Sequence, residues 1–202
     1  MINWIIFDWG GVLFTINYLE LAETIHHSFK QLSRKEIETI LYGKELGYDY
    51  RNGKYNKKEF WQKTKQVIGK KFNTELLAQK WHESYKLNEQ VLKIIKQLKQ
   101  NYKIGVISGN IKERVQYLDK KYDVLKYFDS QVFSYEVGTN KPNPEIYEQF
   151  LKKTNEKGEN CVFIDDEIKF IQSAQKYGIK TIHFKNAENL KKELKKNGIK
   201  IK

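Results

Sequence analysis

The chain reads as an α/β protein, a doubly wound parallel sheet with an inserted α-helical bundle. Three observations predict this. Short apolar runs stop abruptly at polar residues: Ile5-Ile6-Phe7 at Asp8, Lys103 to Ile107 at Ser108, and Cys161 to Ile164 at Asp165-Asp166. Such runs are the pattern of buried parallel strands, which deliver their last residue to the crevice at the carboxyl edge of the sheet. After Asn88 these runs alternate with helical periodicity, which implies right-handed crossovers. Between Thr15 and about Tyr85, by contrast, the rhythm is helical throughout.

Residues 1–14 and 88–202 are therefore expected to form the sheet-bearing core, and 15–87 a helical cap or insert. In the insert, Leu21, Ile25, Phe29 and Leu32 recur at helical spacing. Ser33 with Glu36 and Asn56 with Glu59 have the spacing of capping boxes that open two further helices. Phe60, Thr64, Val67, Ile68, Leu77 and Trp81 supply more apolar faces. In the core, Val91, Ile94, Ile95 and Leu98 form one helical face, and Val132-Phe133 reads as a short strand. Asn143-Pro144-Glu145 predicts a helix start with Asn as cap and Pro at the first helical position. A helix over Ile168 to Tyr177 closed by Gly178, a strand over Thr181 to Phe184 and a lysine-rich helix near Asn189 to Lys196 complete the chain.

With 202 residues the chain can bury a substantial core, and its 40% apolar and 14% aromatic content argues against disorder. Cys161 is the single cysteine, so no internal disulfide can form and a reducing compartment is expected. Neither a signal-like N-terminus nor a long apolar stretch is present, so the expected location is the cytoplasm, away from membranes. The net charge is +12, yet the only arginines are Arg34, Arg51 and Arg114. Nucleic-acid readers depend on arginine forks, so a solvated lysine coat is the expected reading and nucleic acid is not an expected partner. The same excess draws small anions toward a cleft.

Asp8, Ser108 and Asp165-Asp166 each terminate a strand, and Lys141 stands just ahead of a capped helix. Singly, each has an ordinary alternative: Asp8 or Ser108 as a helix cap, Lys141 as a surface lysine. Together at one crevice, a carboxylate, a hydroxyl, an ammonium and a carboxylate pair make a phosphoryl-transfer site, where charge on three oxygens must be stabilised during in-line attack.

The motifs Phe7-Asp8-Trp9-Gly10-Gly11-Val12-Leu13, Val106-Ile107-Ser108-Gly109-Asn110, Gly138 to Tyr147 around Lys141-Pro142, and Phe163-Ile164-Asp165-Asp166 resemble, in that order, those of the haloacid dehalogenase superfamily of aspartate-nucleophile hydrolases. Gly53-Lys54-Tyr55-Asn56 leading to Glu59-Phe60-Trp61 is similar to cap sequence of its phosphatase-like class. The resemblance implies a Rossmann-like core and a Mg²⁺-dependent phosphatase acting on a small phosphorylated metabolite, such as a sugar phosphate. Asp8 would then be the nucleophile, forming an aspartyl-phosphate. Ser108, Gly109, Asn110 and Lys141 would hold the phosphoryl group. Asp8, Asp165, Asp166 and the carbonyl of Gly10 would hold Mg²⁺, a cation that takes a few carboxylates besides phosphate and water.

Two positions depart from the family pattern. Gly10 stands where phosphatases carry a second Asp, whose general acid and base role is worth roughly 10² to 10⁴ in rate. Its loss biases the expected substrate toward easy leaving groups. Phe170 stands where an Asn or Asp supporting the metal is expected. Gly10 also keeps open a 2-haloacid dehalogenase-type hydrolase, because halide leaves without a proton, and the two departures together keep open a catalytically weak homologue with a binding or regulatory role. Tyr18, His26, His27, Tyr48, Arg51 and Trp61 are the candidate substrate contacts in the insert, with His26 or His27 as a substitute for the missing acid. The hinges are expected at Phe14 to Asn17 and Tyr85 to Asn88.

Overall fold

Seven strands position the molecule's functional edge. The computed structural model describes residues 1–201, and the side chain of Tyr18 lies outside the described residues, so its expected substrate contact does too. The strands are β1 Trp4–Phe7, β2 Phe14–Thr15, β3 Lys86–Leu87, β4 Lys103–Ser108, β5 Ser130–Phe133, β6 Cys161–Asp165 and β7 Lys180–His183. Five of them form one parallel sheet in the order β5-β4-β1-β6-β7. Strand order reverses about β1, and that reversal opens a crevice at the carboxyl edge, where α/β proteins bind ligands.

Alternation along each strand feeds two cores. Ile5, Phe7, Val106, Val162 and Ile164 pack on one face with the helices Glu89–Leu98 and Ala187–Lys196. Ile6, Ile107, Val132, Cys161 and Phe163 pack on the other with Glu145–Thr154. The expected doubly wound sheet is therefore observed, with strands buried on both faces and hence continuously apolar.

The stretch between β2 and β3 is helical: Tyr18–Ser28, Arg34–Tyr42, Lys57–Ile68 and Thr74–Glu83 are its longer helices. Both expected capping boxes form, Ser33 with Glu36 and Asn56 with Glu59. These helices bury their own apolar cluster, which includes Ile25, Ile40, Phe60, Trp61, Leu77 and Trp81 and which Ile111 joins from the other side. The two crossings are not simple hinges. Thr15 pairs with Lys86 and Phe14 with Leu87, an antiparallel pair that ties entry to exit. No helix among the described residues is long and apolar enough to cross a membrane.

Three boundaries differ from expectation. Asn143 does not cap the following helix, because Pro144 already has helical dihedrals and occupies the cap position, while Asn143 Nδ2 donates to Thr139 Oγ1 at 3.0 Å. The helix after Asp166 ends at Gln175, and Gly178 follows with φ 72°. The last strand of the sheet begins at Lys180, one residue early, and ends at His183.

Candidate active site

Asp8 continues the β1 ladder, its N–H donating to the Ile164 carbonyl at 2.9 Å, so its carboxylate sits on the carboxyl edge beside the end of β6. Asp8 Oδ1 accepts from the N–H of Trp9 at 2.7 Å and lies 2.8 Å from Lys141 Nζ. Lys141 Nζ also lies 2.5 Å from Asp165 Oδ2. All three side chains are buried, so one cation is shared by two carboxylates away from bulk water. Asp165 Oδ1 accepts from the N–H of Glu167 at 2.8 Å, which fixes that carboxylate as the lysine's anchor.

Charge in this cluster follows from burial. Desolvation pushes the Asp8 carboxyl up to about 7, against the pull of the Lys141 ammonium and with the push of Asp165. Burial works against the Lys141 ammonium, but Asp165 and Asp8 outweigh it and hold its pKa above the ordinary lysine value. Aromatic rings complete its surroundings: Nζ lies 4.7 Å from the centroid of Phe170 and 5.5 Å from that of Phe163. Phe170, out of pattern in the sequence, thus takes the role of a π face under the cation.

Adjacent acids point different ways. Asp165, the last residue of β6, is buried, whereas Asp166 lies exposed at the cleft. Desolvation and the neighbouring Asp165 raise the pKa of Asp166. Gly11, at φ +90°, makes room for Asp166: a Cβ there would fall 2.3 Å from Asp166 Oδ2. One oxygen each from Asp8, Asp165 and Asp166 lie within 4.8 Å of one another. Hard oxygen donors that crowd like charge in this way fit a small divalent cation such as Mg²⁺. Both Asp165 oxygens are engaged, Oδ2 by Lys141 and Oδ1 by the Glu167 N–H, whereas Asp8 uses only Oδ1, so Asp8 and Asp166 are the carboxylates left to face Mg²⁺.

Across the crevice, β4 ends in Ser108, and Ser108-Gly109-Asn110 turns toward the helix Lys112–Tyr122. Gly109 is needed here, since a Cβ would meet Asn140 Oδ1 at 2.0 Å. The Asn110 backbone N–H donates to Ser134 Oγ at 3.0 Å, and its Oδ1 accepts from the Ile111 N–H and from Arg114 Nη1. What Asn110 can offer a ligand is therefore its Nδ2, not the backbone amide.

The walls enclose a cleft of about 710 Å³ whose floor holds Asp8, Gly10, Ser108, Gly109, Asn110, Lys141 and Asp166. The helical stretch supplies Leu19, Ala22, Glu38, Tyr42, Tyr48, Arg51 and Tyr85 as its roof. Tyr48 and Arg51, singled out from the sequence, are thus at the cleft. His26 instead donates from Nδ1 to the Leu32 carbonyl at 2.8 Å, His27 is exposed on its helix, and Trp61 packs edge-on against Phe60; none is among the residues lining the cleft. Neither His26 nor His27 therefore stands beside Gly10, where the acid is missing. Tyr85, Asn140 and Arg114 also stand at or behind the cleft, although the sequence marks none of them as a site residue. The available signal was an arginine on the apolar side of the helix after Ser108, one turn beyond Asn110 and beside Val115 and Leu118.

Comparison with known proteins agrees with this geometry. The family model of haloacid dehalogenase-like hydrolases matches residues 2–178. An uncharacterised protein of Dictyostelium discoideum is 28% identical over 210 residues, covering 88% of each chain. The D-ribitol-5-phosphate phosphatase of Bacteroides thetaiotaomicron is 23% identical, covering 96% of this chain and 97% of its own. A solved enzyme of the same family from Bacteroides thetaiotaomicron, in complex with magnesium and inorganic phosphate, superposes with a TM-score of 0.80 at 22% identity, covering 92% of this chain and 95% of that one.

Proposed function

Because the chain belongs to the haloacid dehalogenase-like hydrolases, we propose that it is a Mg²⁺-dependent phosphatase of a small phosphorylated metabolite, working through an aspartyl-phosphate on Asp8. The observation that carries this reading is the Asp8 carboxylate, paired through Oδ1 with the buried Lys141 ammonium at 2.8 Å and facing Asp166 across a cleft floored by Ser108. Residues 1–14 and 88–202 act as the catalytic core in this reading, and 15–87 as the cap that selects the substrate. The names of the phosphatases among the relatives support the reaction class.

In this mechanism the phosphoryl group sits against Ser108, the Gly109 amide, the Asn110 side chain and Lys141, where its oxygens meet preorganised donors in a water-poor site. Lys141, anchored by Asp165, neutralises charge on those oxygens and orients Asp8 for in-line attack. Asp8, Asp166 and the Gly10 carbonyl would hold Mg²⁺, which would supply neutralisation of the phosphoryl charge. Asp8 attacks phosphorus, the alcohol leaves, and water then frees the carboxylate. A panel of phosphate esters assayed with and without Mg²⁺ tests the reading: turnover should require the metal and vanish in Asp8→Asn. Turnover by Asp8→Asn would remove Asp8 from the nucleophile's role.

One observation favours a second reading. Gly10 leaves no carboxylate beside the leaving group, as suits a 2-haloacid dehalogenase-type hydrolase. Halide needs no proton, but such chemistry, with Asp8 again as the nucleophile, needs no metal and leaves Asp166 of the Asp165-Asp166 doublet without a purpose. Chloride release from a 2-chloro acid without Mg²⁺ would decide for it.

A further inference from the structure

The volume beside Gly10 is bounded by a phenol. A Cβ built on Gly10 would lie 3.4 Å from Tyr85 Cε1, the ring carbon next to the one bearing the hydroxyl. Tyr85 is buried at the end of the helical insert, one residue before β3, and lines the cleft with Asp8 and Gly10. Its hydroxyl oxygen accepts from Arg114 Nη1 at 2.8 Å, and among the described residues nothing accepts its proton. Arg114 Nη1 also donates to Asn110 Oδ1 at 3.2 Å, so phenol, guanidinium and the turn after Ser108 form one connected wall.

Arg114 itself is unusual. It is 1% exposed, lies over the rings of Tyr85 and Trp81 at 4.3 and 4.6 Å, and has no carboxylate partner among the described residues. Its Nε and Nη2 have no hydrogen-bond partner. A buried cation balanced only by π faces and neutral dipoles is costly unless an anion appears beside it. The nearest group able to become one is the Tyr85 oxygen that it already holds.

Resting on the phosphatase reading of this same site, we propose that Tyr85, positioned by Arg114, is the catalytic proton donor that stands in for the carboxylate absent at Gly10. As the bond between phosphorus and the ester oxygen breaks and the bond to Asp8 forms, the Tyr85 O–H proton passes to the departing alkoxide, leaving a phenolate beside Arg114. When water attacks the aspartyl-phosphate, the phenolate takes one of its protons, so hydroxide bonds to phosphorus, Asp8 is freed and the phenol is restored. Protons and charge balance over the cycle without a further reactant. The donor thus extends the substrate range to alkyl phosphates such as polyol and sugar phosphates, whose leaving groups need a proton.

The test compares glycerol phosphate with nitrophenyl phosphate on the full chain with Mg²⁺. Tyr85→Phe keeps the ring and removes the proton, so kcat/KM for the alkyl ester, which reports phosphoryl transfer to Asp8 and not the later water step shared by both esters, should fall by roughly 10²-fold while kcat/KM for the aryl ester, whose leaving group needs no proton, is little changed. Gly10→Asp added to Tyr85→Phe should recover alkyl turnover by returning an acid to the same volume. On the native enzyme, a solvent deuterium isotope effect on kcat/KM should accompany the alkyl ester and be absent for the aryl one. Equal losses of kcat/KM for both esters in Tyr85→Phe, or equal isotope effects on kcat/KM for both in the native enzyme, overturn the role of Tyr85 alone. A native enzyme with Mg²⁺ that hydrolyses neither ester defeats the phosphatase reading first, and the role of Tyr85 with it.

Discussion

Acidification should loosen the contact between the helical insert and the core through one histidine. His82, on the helix Thr74–Glu83, stacks beside Trp81 at 6.3 Å and Tyr117 at 5.9 Å between ring centroids. Its Nδ1 is buried with no hydrogen-bond partner. Burial first, then the charges of Arg114 and Lys57, lower its pKa from 6.5 to about 3. In the folded protein the ring stays neutral where the unfolded chain's histidine is protonated. The unfolded state therefore binds more protons between those two values, and stability, complete above 6.5, drains away as pH falls toward 3. At about pH 5 the ring is held neutral some one and a half units under its ordinary value, which costs about 2 kcal/mol at 1.36 kcal/mol per unit. Urea unfolding of the native protein and His82→Gln, each near neutrality and at about pH 5, isolates this contribution, because the other carboxylates and histidines titrate in both. The native protein should lose about 2 kcal/mol more than the variant across that interval. An equal loss in the two would refute the reasoning and place His82 in contact with water.

Two substitutions probe the crevice by readouts other than turnover. Lys141→Met leaves Asp8 and Asp165 buried together with no counter-charge, so urea unfolding in Mg²⁺-free buffer should show a loss on the order of 3 kcal/mol, and native stability would mean that the pair is solvated. Gly11→Ala places a methyl 2.3 Å from Asp166 Oδ2 and a side chain at φ +90°. It should weaken Mg²⁺ binding in a calorimetric titration by about tenfold or more, with a backbone cost of about 1 to 2 kcal/mol; unchanged affinity would exclude Asp166 as a ligand.

Why the strand ends could be read from the sequence, and the Arg114 wall could not, follows from the range of the interactions. Asp8, Ser108 and Asp165 each end an apolar run, and in a parallel sheet buried on both faces that local pattern alone brings them to one edge. Lys141 was placed by a motif beside a helix start, and the ion pairs with Asp8 and Asp165 then follow from the converging edge. The doublet Asp165-Asp166 reads as a carboxylate pair with Asp166 as the metal ligand and Asp165 as its helper, yet β6 stops at Asp165 and Asp166 lies in the bend beyond it. One therefore goes inward to hold the lysine, and its neighbour goes outward to the cleft. Phe170 was legible only as a departure, because the meaning of a ring under an ammonium depends on where Lys141 arrives from 29 residues upstream. The Tyr85 to Arg114 bond likewise spans 29 residues and joins the insert's exit to the helix after Ser108. No local periodicity encodes how that insert is seated. Its seating is instead determined by several distant contacts: Tyr50 donating to Glu113 at 2.7 Å, Ser134 donating to the Arg51 carbonyl at 2.5 Å, and Ile111 joining the insert's apolar cluster. The placement of side chains at strand ends is thus written locally, whereas the presence of Tyr85 beside Gly10 depends on how the insert closes over them.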